Sequence, residues 1–270
     1  MNNFNSLEEI LVFYSKKLLN APKVNSRGSL QKEVLFENFV LDNPSNIIID
    51  IPDRKFNVKY AIAEWLWYAS ANPSSKNIGK LAKIWRDISD EYGEVESNYG
   101  VYLKPQWGWV KKCLLEDNDT RRATFVINQP HHKFKNPADY PCTQYVQFFI
   151  RDNELHMGVS MRSNDLVFGL CNDVFTFSLF QQLMLNELNQ TGLSLELGKY
   201  YHHAGSLHVY ERHFEMIEKI SSFREFTEES VILNQRVNWK NLAISKFPEI
   251  EKSKEDLYNY VDSKIEDLIK

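Results

Sequence analysis

The chain has 270 residues, with 32 Lys and Arg against 36 Asp and Glu, for a formal net charge of −4 at pH 7. That length buries one substantial core or two small ones, and 43% hydrophobic with 13% aromatic residues excludes a disordered chain. The charge gives no global attraction to nucleic acid or anionic membrane, so neither is an expected partner, and phosphate contact has to come from a local group of arginines.

No apolar run approaches the ~20 residues needed to span a bilayer. Met1-Asn2-Asn3-Phe4-Asn5 lacks the charged and apolar blocks of a signal peptide. Cys113, Cys142 and Cys171 form an odd set without framework spacing, which points to reduced thiols in a cytoplasm. His131-His132 and His202-His203 have no Cys or carboxylate pattern at ligand spacing beside them, so no metal site is expected.

In chain order, Ser6-Leu7-Glu8-Glu9 has the form of a capping box and predicts an amphipathic helix through about Leu19. Lys23 to Ser29 is polar, carries Gly28 and reads as a loop, whereas Lys32 to Leu41 alternates as a strand does. Val58 to Tyr68 predicts a tryptophan-rich helix, apolar on nearly every side apart from Glu64, and Lys80 to Ser89 predicts a second helix. Ala123 to Asn128 reads as a buried strand stopped by Pro130. Gln144 to Ile150 and Leu155 to Met161 are strands on either side of Arg151-Asp152-Asn153-Glu154, a hairpin signal. Val174 to Leu188 predicts a long apolar helix closed by Gly192. Leu207 to Tyr210 is a short strand leading into another helix. From about Ser253, Leu257, Val261, Ile265 and Leu268 recur at helical spacing, so the tail is expected to pack on the body. With no linker-like stretch and no repeat, the expectation is one α+β domain over residues 1–270.

The residues that carry chemistry follow one another in the second half of the chain. Cys142 lies in Asp139-Tyr140-Pro141-Cys142-Thr143-Gln144, followed by Met161-Arg162-Ser163-Asn164-Asp165, Gly169-Leu170-Cys171-Asn172-Asp173 and Gly205-Ser206-Leu207-His208-Val209-Tyr210. A lone cysteine is more often a small buried hydrophobe. A thiol followed by an arginine-serine pair, a carboxylate and His-x-Tyr points instead to a nucleotide site built on a covalent nucleophile. Arg162 offers a planar fork for a phosphate dianion and Ser163 one more donor. Glu64, a lone carboxylate on an apolar helix, should titrate above the ordinary range, which suits proton transfer near neutral pH. Asp173 reads either as a helix N-cap ahead of Val174 or as a carboxylate that recognises a base.

Together with Gly93-Glu94-Val95-Glu96-Ser97-Asn98-Tyr99-Gly100, these stretches resemble the thymidylate synthase superfamily, and within it the phage-type deoxycytidylate hydroxymethylases, from about Ala61 to Phe214. The resemblance implies a mixed β-sheet covered by helices, a homodimer formed through the sheet, a cytoplasmic location and 5,10-methylenetetrahydrofolate as cosubstrate. Cys142 corresponds to the nucleophile that adds to pyrimidine C6, as a thiolate whose pKa neighbouring arginines lower. Glu64 corresponds to the glutamate that organises water and protons, and Tyr99 to the tyrosine near C5 proton removal. Arg162 and Ser163 match the phosphate ligands. Arg121 and Arg122 match arginines donated across the dimer to the partner's phosphate, and Arg27 a further phosphate ligand. His208 and Tyr210 match the binders of the sugar hydroxyl, Trp85 and Asp165 the folate side, and Gln147 and Asn172 positions near the base. Cys113 and Cys171 match no nucleophile and are expected to be structural.

Thymidylate synthases resemble this segment but carry asparagine where Asp173 stands. A carboxylate accepts from the cytosine amino group and pairs with a protonated N3, inverting the demand that uracil makes, and a mismatched buried pair costs ~1–3 kcal/mol or more. Thr143 replaces the histidine usual after the nucleophile, Ser206 replaces an aspartate, and the chain ends in a charged, helix-like tail rather than a short apolar closing segment. These departures favour water, not a folate hydride, as what adds to the exocyclic methylene. The expected function is therefore conversion of dCMP to 5-hydroxymethyl-dCMP. The alternatives are a reductive C5-methylating synthase acting on dUMP or dCMP, a CMP hydroxymethylase, and a catalytically silent nucleotide- or RNA-binding homologue.

Overall fold

The structure is a computed structural model and describes residues 2–136, 138–244 and 253–269. Its frame is a mixed sheet in which short β1 (Asn2–Phe4) lies beside β3 (Ser29–Leu41), followed by β8 (Glu196–Tyr210), β6 (Glu154–Met161), β5 (Thr143–Arg151) and β4 (Thr124–Val126). Two further strands hang from this path: β2 (Lys23–Ser26) pairs with β3, and β7 (Asn164–Asp165) with β8. β8 runs antiparallel to β3 and parallel to β6 and β7. One face of the sheet is covered by helices, with Tyr200, His202, Val159, Val146 and Phe39 buried under them. Tyr145 and Tyr201 lie half exposed on the other face.

α1 (Leu7–Leu19) starts as predicted, with Ser6 Oγ accepting from Glu9 N. The reciprocal bond from Glu9 reaches Asn5 N rather than Ser6. α2 (Val58–Ser70) is capped by the Asn57 side chain and buries Trp65, Trp67 and Glu64 alike. α6 (Cys171–Asn189) is buried over almost its whole length and is tied to the sheet by Gln181 Nε2, which donates to the carbonyls of Leu155 and Gly198. The tail forms α9 (Lys254–Leu268), burying Leu257, Val261 and Leu268 as its spacing predicted. Asn57 Nδ2 donates to the Tyr258 hydroxyl and Lys59 pairs with Asp262, so α9 is bonded to the start of α2. α7 (Phe214–Ser221) follows β8, and α8 (Trp239–Ile244) precedes the tail.

Several elements differ from the sequence reading. Lys23 to Ser29 is half of a hairpin whose turn is Arg27-Gly28, both at positive φ (51° and 76°), the geometry of the turns that match strand twist. The single helix expected over 80–89 is two four-residue turns, α3 (Ile78–Leu81) and α4 (Ile84–Asp87). α5 (Tyr99–Glu116) went unread because Pro105, Gly100 and Gly108 interrupt its pattern with poor helix formers. β8 spans 15 residues, far beyond Leu207 to Tyr210, because Tyr200, His202 and Ala204 are its buried alternation. Polar side chains filling core positions hide that period from a hydrophobicity count.

Gly100 is where α5 meets α2 backbone to backbone. A Cβ there would stand 1.5 Å from the Tyr68 carbonyl oxygen. Gly100→Ala is therefore expected to lower stability by about 2–3 kcal/mol, as overpacking does when backbone is the obstacle, and to displace Tyr99. Urea unfolding checks the first effect and near-ultraviolet circular dichroism the second.

Candidate active site

Where β6 ends, β7 and the end of β8 converge with the first turns of α2, α5 and α6 around a cavity of about 720 Å³. Of the predicted residues, Glu64, Trp85, Tyr99, Cys142, Arg162, Ser163, Asp165, Asn172, Asp173, His208 and Tyr210 line it, as does Arg27. Arg121, Arg122 and Gln147 do not. Gln147 lies on β5 between Tyr145 and Phe149, on the sheet face away from the cavity, because side chains alternate along a strand. Its Nε2 donates to the Arg121 carbonyl at 2.8 Å, so it anchors the exposed arginine pair and is not near the base pocket of its own chain.

Cys142 stands just before β5, and Arg162 just after β6, across the hairpin. Arg162 N donates to the Cys142 carbonyl at 2.9 Å. The guanidinium is fixed by the Tyr140 and Pro141 carbonyls and lies over the Tyr140 ring at 4.8 Å, which leaves Nη2 3.7 Å from Cys142 Sγ. Gly205 makes this possible, since a Cβ there would come 2.9 Å from the Arg162 carbonyl oxygen. The expected low thiol pKa is not what the free site holds. Burial raises it to about 11, with Asp173 and Asp139 pushing the same way and Arg162 and Arg27 opposing. Desolvation outweighs two arginines because the charged form has lost its water.

Glu64 behaves as its surroundings predicted. Burial, then the charge of Asp173, lifts it to about 8, and the polar groups of Tyr60, Asn172 and Tyr68 pull it back only in part. Asp173 is lifted by burial to about 7, with Asn164 opposing and Asp165 adding to the rise. It is not the N-cap that one reading allowed: it lies inside the first turn of α6, after a wide turn over Leu166–Leu170, and Asn164 Nδ2 donates to its Oδ2 at 2.8 Å. The capping role belongs to Asp165, whose Oδ2 accepts from Phe168 N and Gly169 N.

Tyr99 opens α5 and is clamped between Tyr68 (5.0 Å) and Phe177 (5.6 Å) in stacked geometry. Trp85 Nε1 donates to the Tyr60 hydroxyl at 2.9 Å and its ring packs on Trp67, so it belongs to core and cavity wall together. Its neighbours Ile84 and Ile88, together with Phe168, add flat apolar surface to the cavity wall, of the kind a fused-ring cosubstrate needs. Arg27, Arg162, Ser163, His208 and Tyr210 line the same cavity, with His208 held neutral mainly by burial.

Sequence reasoning missed Glu33, Tyr60, Tyr68 and Asn164. Glu33 faces His208 across the β3–β8 ladder, and Ser206 Oγ donates to Glu33 Oε1 at 2.6 Å. The carboxylate absent at position 206 is thus supplied from a strand 173 residues away, a pairing no local motif signals. Cys113 and Cys171 are buried free thiols, as expected of structural cysteines.

Glu96, His131 and His132 are close enough to share a cation. Their donors are otherwise engaged: His132 Nδ1 accepts from Gln129 N, so its Nε2 carries hydrogen toward the Tyr102 hydroxyl, and Lys135 neutralises Glu96. No helix among the described residues is long and apolar enough to cross a membrane.

Residues 32–263 match the thymidylate synthase family model. The chain belongs to the thymidylate synthase family. It is 31% identical over 207 residues to the deoxycytidylate 5-hydroxymethyltransferase of Enterobacteria phage T4, covering 72% of this chain and 82% of that protein. To thymidylate synthase 1 of Bacillus spizizenii it is 26% identical over 273 residues, covering 96% and 90%. The deoxyuridylate hydroxymethyltransferase of Bacillus phage SP01 is 28% identical over 77% of this chain and 59% of its own. The fold matches that of thermostable thymidylate synthase A from Bacillus subtilis with a TM-score of 0.73 at 22% identity, over 88% of this chain and 91% of that one. As a family member the chain is a one-carbon transferase for pyrimidine nucleotides, with 5,10-methylenetetrahydrofolate as cosubstrate.

Raised carboxyl pKa values make a stability prediction. Glu64 and Asp173 keep protons in the folded state that the unfolded chain releases near pH 4, so the native state binds more protons between there and about pH 8. These two groups therefore make stability fall as pH rises through that window, by about 1.4 kcal/mol per pH unit for each proton held only by the folded state. His202, His132, His208 and His213, kept neutral mainly by burial, act in the opposite direction below their ordinary pKa of about 6.5. Urea titrations between pH 7 and 8, above the histidine range, are expected to show the fall in the ligand-free protein, and Glu64→Gln to flatten it.

Proposed function

We propose that the protein transfers a hydroxymethyl group to C5 of dCMP. The observation that carries this reading is the Asp173 carboxyl, set in the cavity floor between Asn164 and the Glu64 side of the site. Held at a pKa of about 7, it supplies both states that cytosine recognition uses: acceptor for the 4-amino group and proton partner for N3. The similarity to the phage deoxycytidylate 5-hydroxymethyltransferases supports the same base.

In this reading Arg162, Ser163 and Arg27 take the phosphate, and His208 and Tyr210 the sugar hydroxyl. Asn172 lies beside the base, and Trp85 with Asp165 bounds the folate side. Sγ of Cys142 adds to C6 once its proton has left, and N3, sharing the Asp173 proton, accepts the displaced electron density. C5 becomes enamine-like and nucleophilic. When bound, 5,10-methylenetetrahydrofolate supplies the one-carbon unit that C5 attacks. Loss of the C5 proton to water beside the Tyr99 hydroxyl would expel tetrahydrofolate and leave an exocyclic methylene on C5. The ionised fraction of Glu64, whose pKa stands at about 8, accepts a proton from the water that adds to this methylene. Cleavage of the Sγ–C6 bond then restores the aromatic ring.

The similarity to the phage deoxycytidylate 5-hydroxymethyltransferases supports water as the final acceptor. α9 packs against α2, and none of the described residues beyond 221 lines the cavity. Reductive methylation is the second reading, favoured by the similarity to thymidylate synthase 1 along nearly the whole chain. Incubation with dCMP and the folate is expected to yield 5-hydroxymethyl-dCMP and tetrahydrofolate; stoichiometric dihydrofolate would instead establish the reductive reaction. Asp173→Asn is expected to lower tritium release from C5-labelled dCMP by about 100-fold or more, a loss of roughly 2.7 kcal/mol, while gaining exchange with dUMP. An unchanged base preference would refute the assignment.

Arg121 and Arg122 are exposed just before β4, outside their own cavity, and the Arg121 carbonyl accepts from Gln147. This fits a homodimer in which they reach the partner's phosphate. Light scattering is expected to give twice the chain mass, and Arg121→Ala with Arg122→Ala to raise the nucleotide KM by about tenfold or more, as lost charge-assisted bonds do.

A further inference from the structure

Asp173 enters the cavity with one oxygen already engaged, and the engagement runs back into the core. Asn164 Nδ2 bonds Asp173 Oδ2 at 2.8 Å, Asn164 Oδ1 meets His202 Nε2 at 3.0 Å, and His202 Nδ1 meets the Tyr200 hydroxyl at 2.9 Å. Tyr200, His202 and Asn164 are 0%, 2% and 2% exposed. The His202 ring is stacked on Phe39 with centroids 4.7 Å apart, which fixes its plane.

The chain has one polarity that uses every hydrogen. His202 Nδ1 is the one hydrogen-bond partner of the Tyr200 hydroxyl among the described residues, so only a donor role uses its hydrogen. If Tyr200 donates to Nδ1, neutral His202 carries its proton on Nε2 and donates to Asn164 Oδ1. The Asn164 amino group then faces Asp173, and Oδ2 has to accept. The reverse order would bury the tyrosine hydrogen unpaired, at a cost of ~1–3 kcal/mol. Burial supports a neutral imidazole, pushing His202 down to about 3.

The geometry points to Tyr200, His202 and Asn164 as a positioning relay that makes Asp173 Oδ2 a permanent acceptor and confines the Asp173 proton to Oδ1, the oxygen left to meet the base. Oδ1 then presents a hydrogen to the cavity. Cytosine N3 accepts it, whereas the N3–H of uracil collides with it, so the relay acts against the wrong base as well as for the right one. The titratable groups around Asp173 are Glu64, Asp165, Tyr60, Tyr68, Tyr99, Tyr200, Cys142 and Cys171, and none of them bonds Oδ2. This inference rests on the base-reading role proposed above for Asp173.

Calorimetric dissociation constants for dCMP and dUMP at pH 7 test it, in the unaltered protein, Asn164→Asp and Tyr200→Phe. Asn164→Asp keeps the size and the acceptor for His202 but replaces the fixed amide donor to Asp173 by a carboxyl that competes with Asp173 for one proton, so Oδ2 is no longer a permanent acceptor. Tyr200→Phe removes one hydroxyl that touches neither cavity nor nucleotide, and is the milder variant should Asn164→Asp fold poorly. The preference for dCMP over dUMP is expected to fall about tenfold in Asn164→Asp, equal to ~1.4 kcal/mol, and by a smaller factor in Tyr200→Phe, with dUMP affinity retained. A preference unchanged in both variants, or equal loss of both nucleotides, overturns the relay. The unaltered protein's own preference is a separate readout: tighter binding of dUMP would overturn the base reading however the variants behave.

Discussion

Sinking Glu64 and Asp173 into the same water-poor cavity opposes folding, because each loses hydration and neither gains a cation in return. The surrounding architecture exists to hold them there. α2 and α6 bury almost their entire surface, and Trp65, Trp67, Phe175, Phe177 and Phe180 supply the apolar mass that offsets the unfavourable charges. What the protein gains is a pair of carboxyl groups that retain protons near neutrality. A pyrimidine with its own donors and acceptors is the natural complement to such a site.

The thiol follows the same logic. Burial holds Cys142 protonated in the free site even though the Arg162 guanidinium lies against it. A thiol kept neutral by burial is a weaker nucleophile than its thiolate and is less open to stray electrophiles. The arginine is immobilised by two backbone carbonyls and a tyrosine face, so it presents a fork already in position and would lose little side-chain entropy on binding an anion.

β8 joins these parts. It pairs with β3, β6 and β7 at once, and its alternation sends Tyr200 and His202 into the core and His208 to the cavity. Its register with β3 puts Glu33 opposite His208, where it bonds the Ser206 hydroxyl. A carboxylate lost from one strand is regained from its neighbour, and the wall keeps its polarity by a change of source.

The sequence by itself determined the family and singled out Cys142, Arg162, the lone acid on α2 and the carboxylate at 173, which the fold brings to one cavity, because each lies in a local stretch whose residue types and order carry the chemistry. The capped first helix, the 151–154 hairpin and the packed tail were equally legible from caps, turn residues and period. Only the tertiary structure decided the rest. It made β8 a long strand with a polar core face, revealed α5 behind its proline and glycines, and turned Gln147 away from the cavity. It also reversed the expected direction of the Cys142 pKa and linked Tyr200 to Asp173 through two side chains, His202 and Asn164. These features depend on desolvation and cross-strand register, which join residues far apart in the chain.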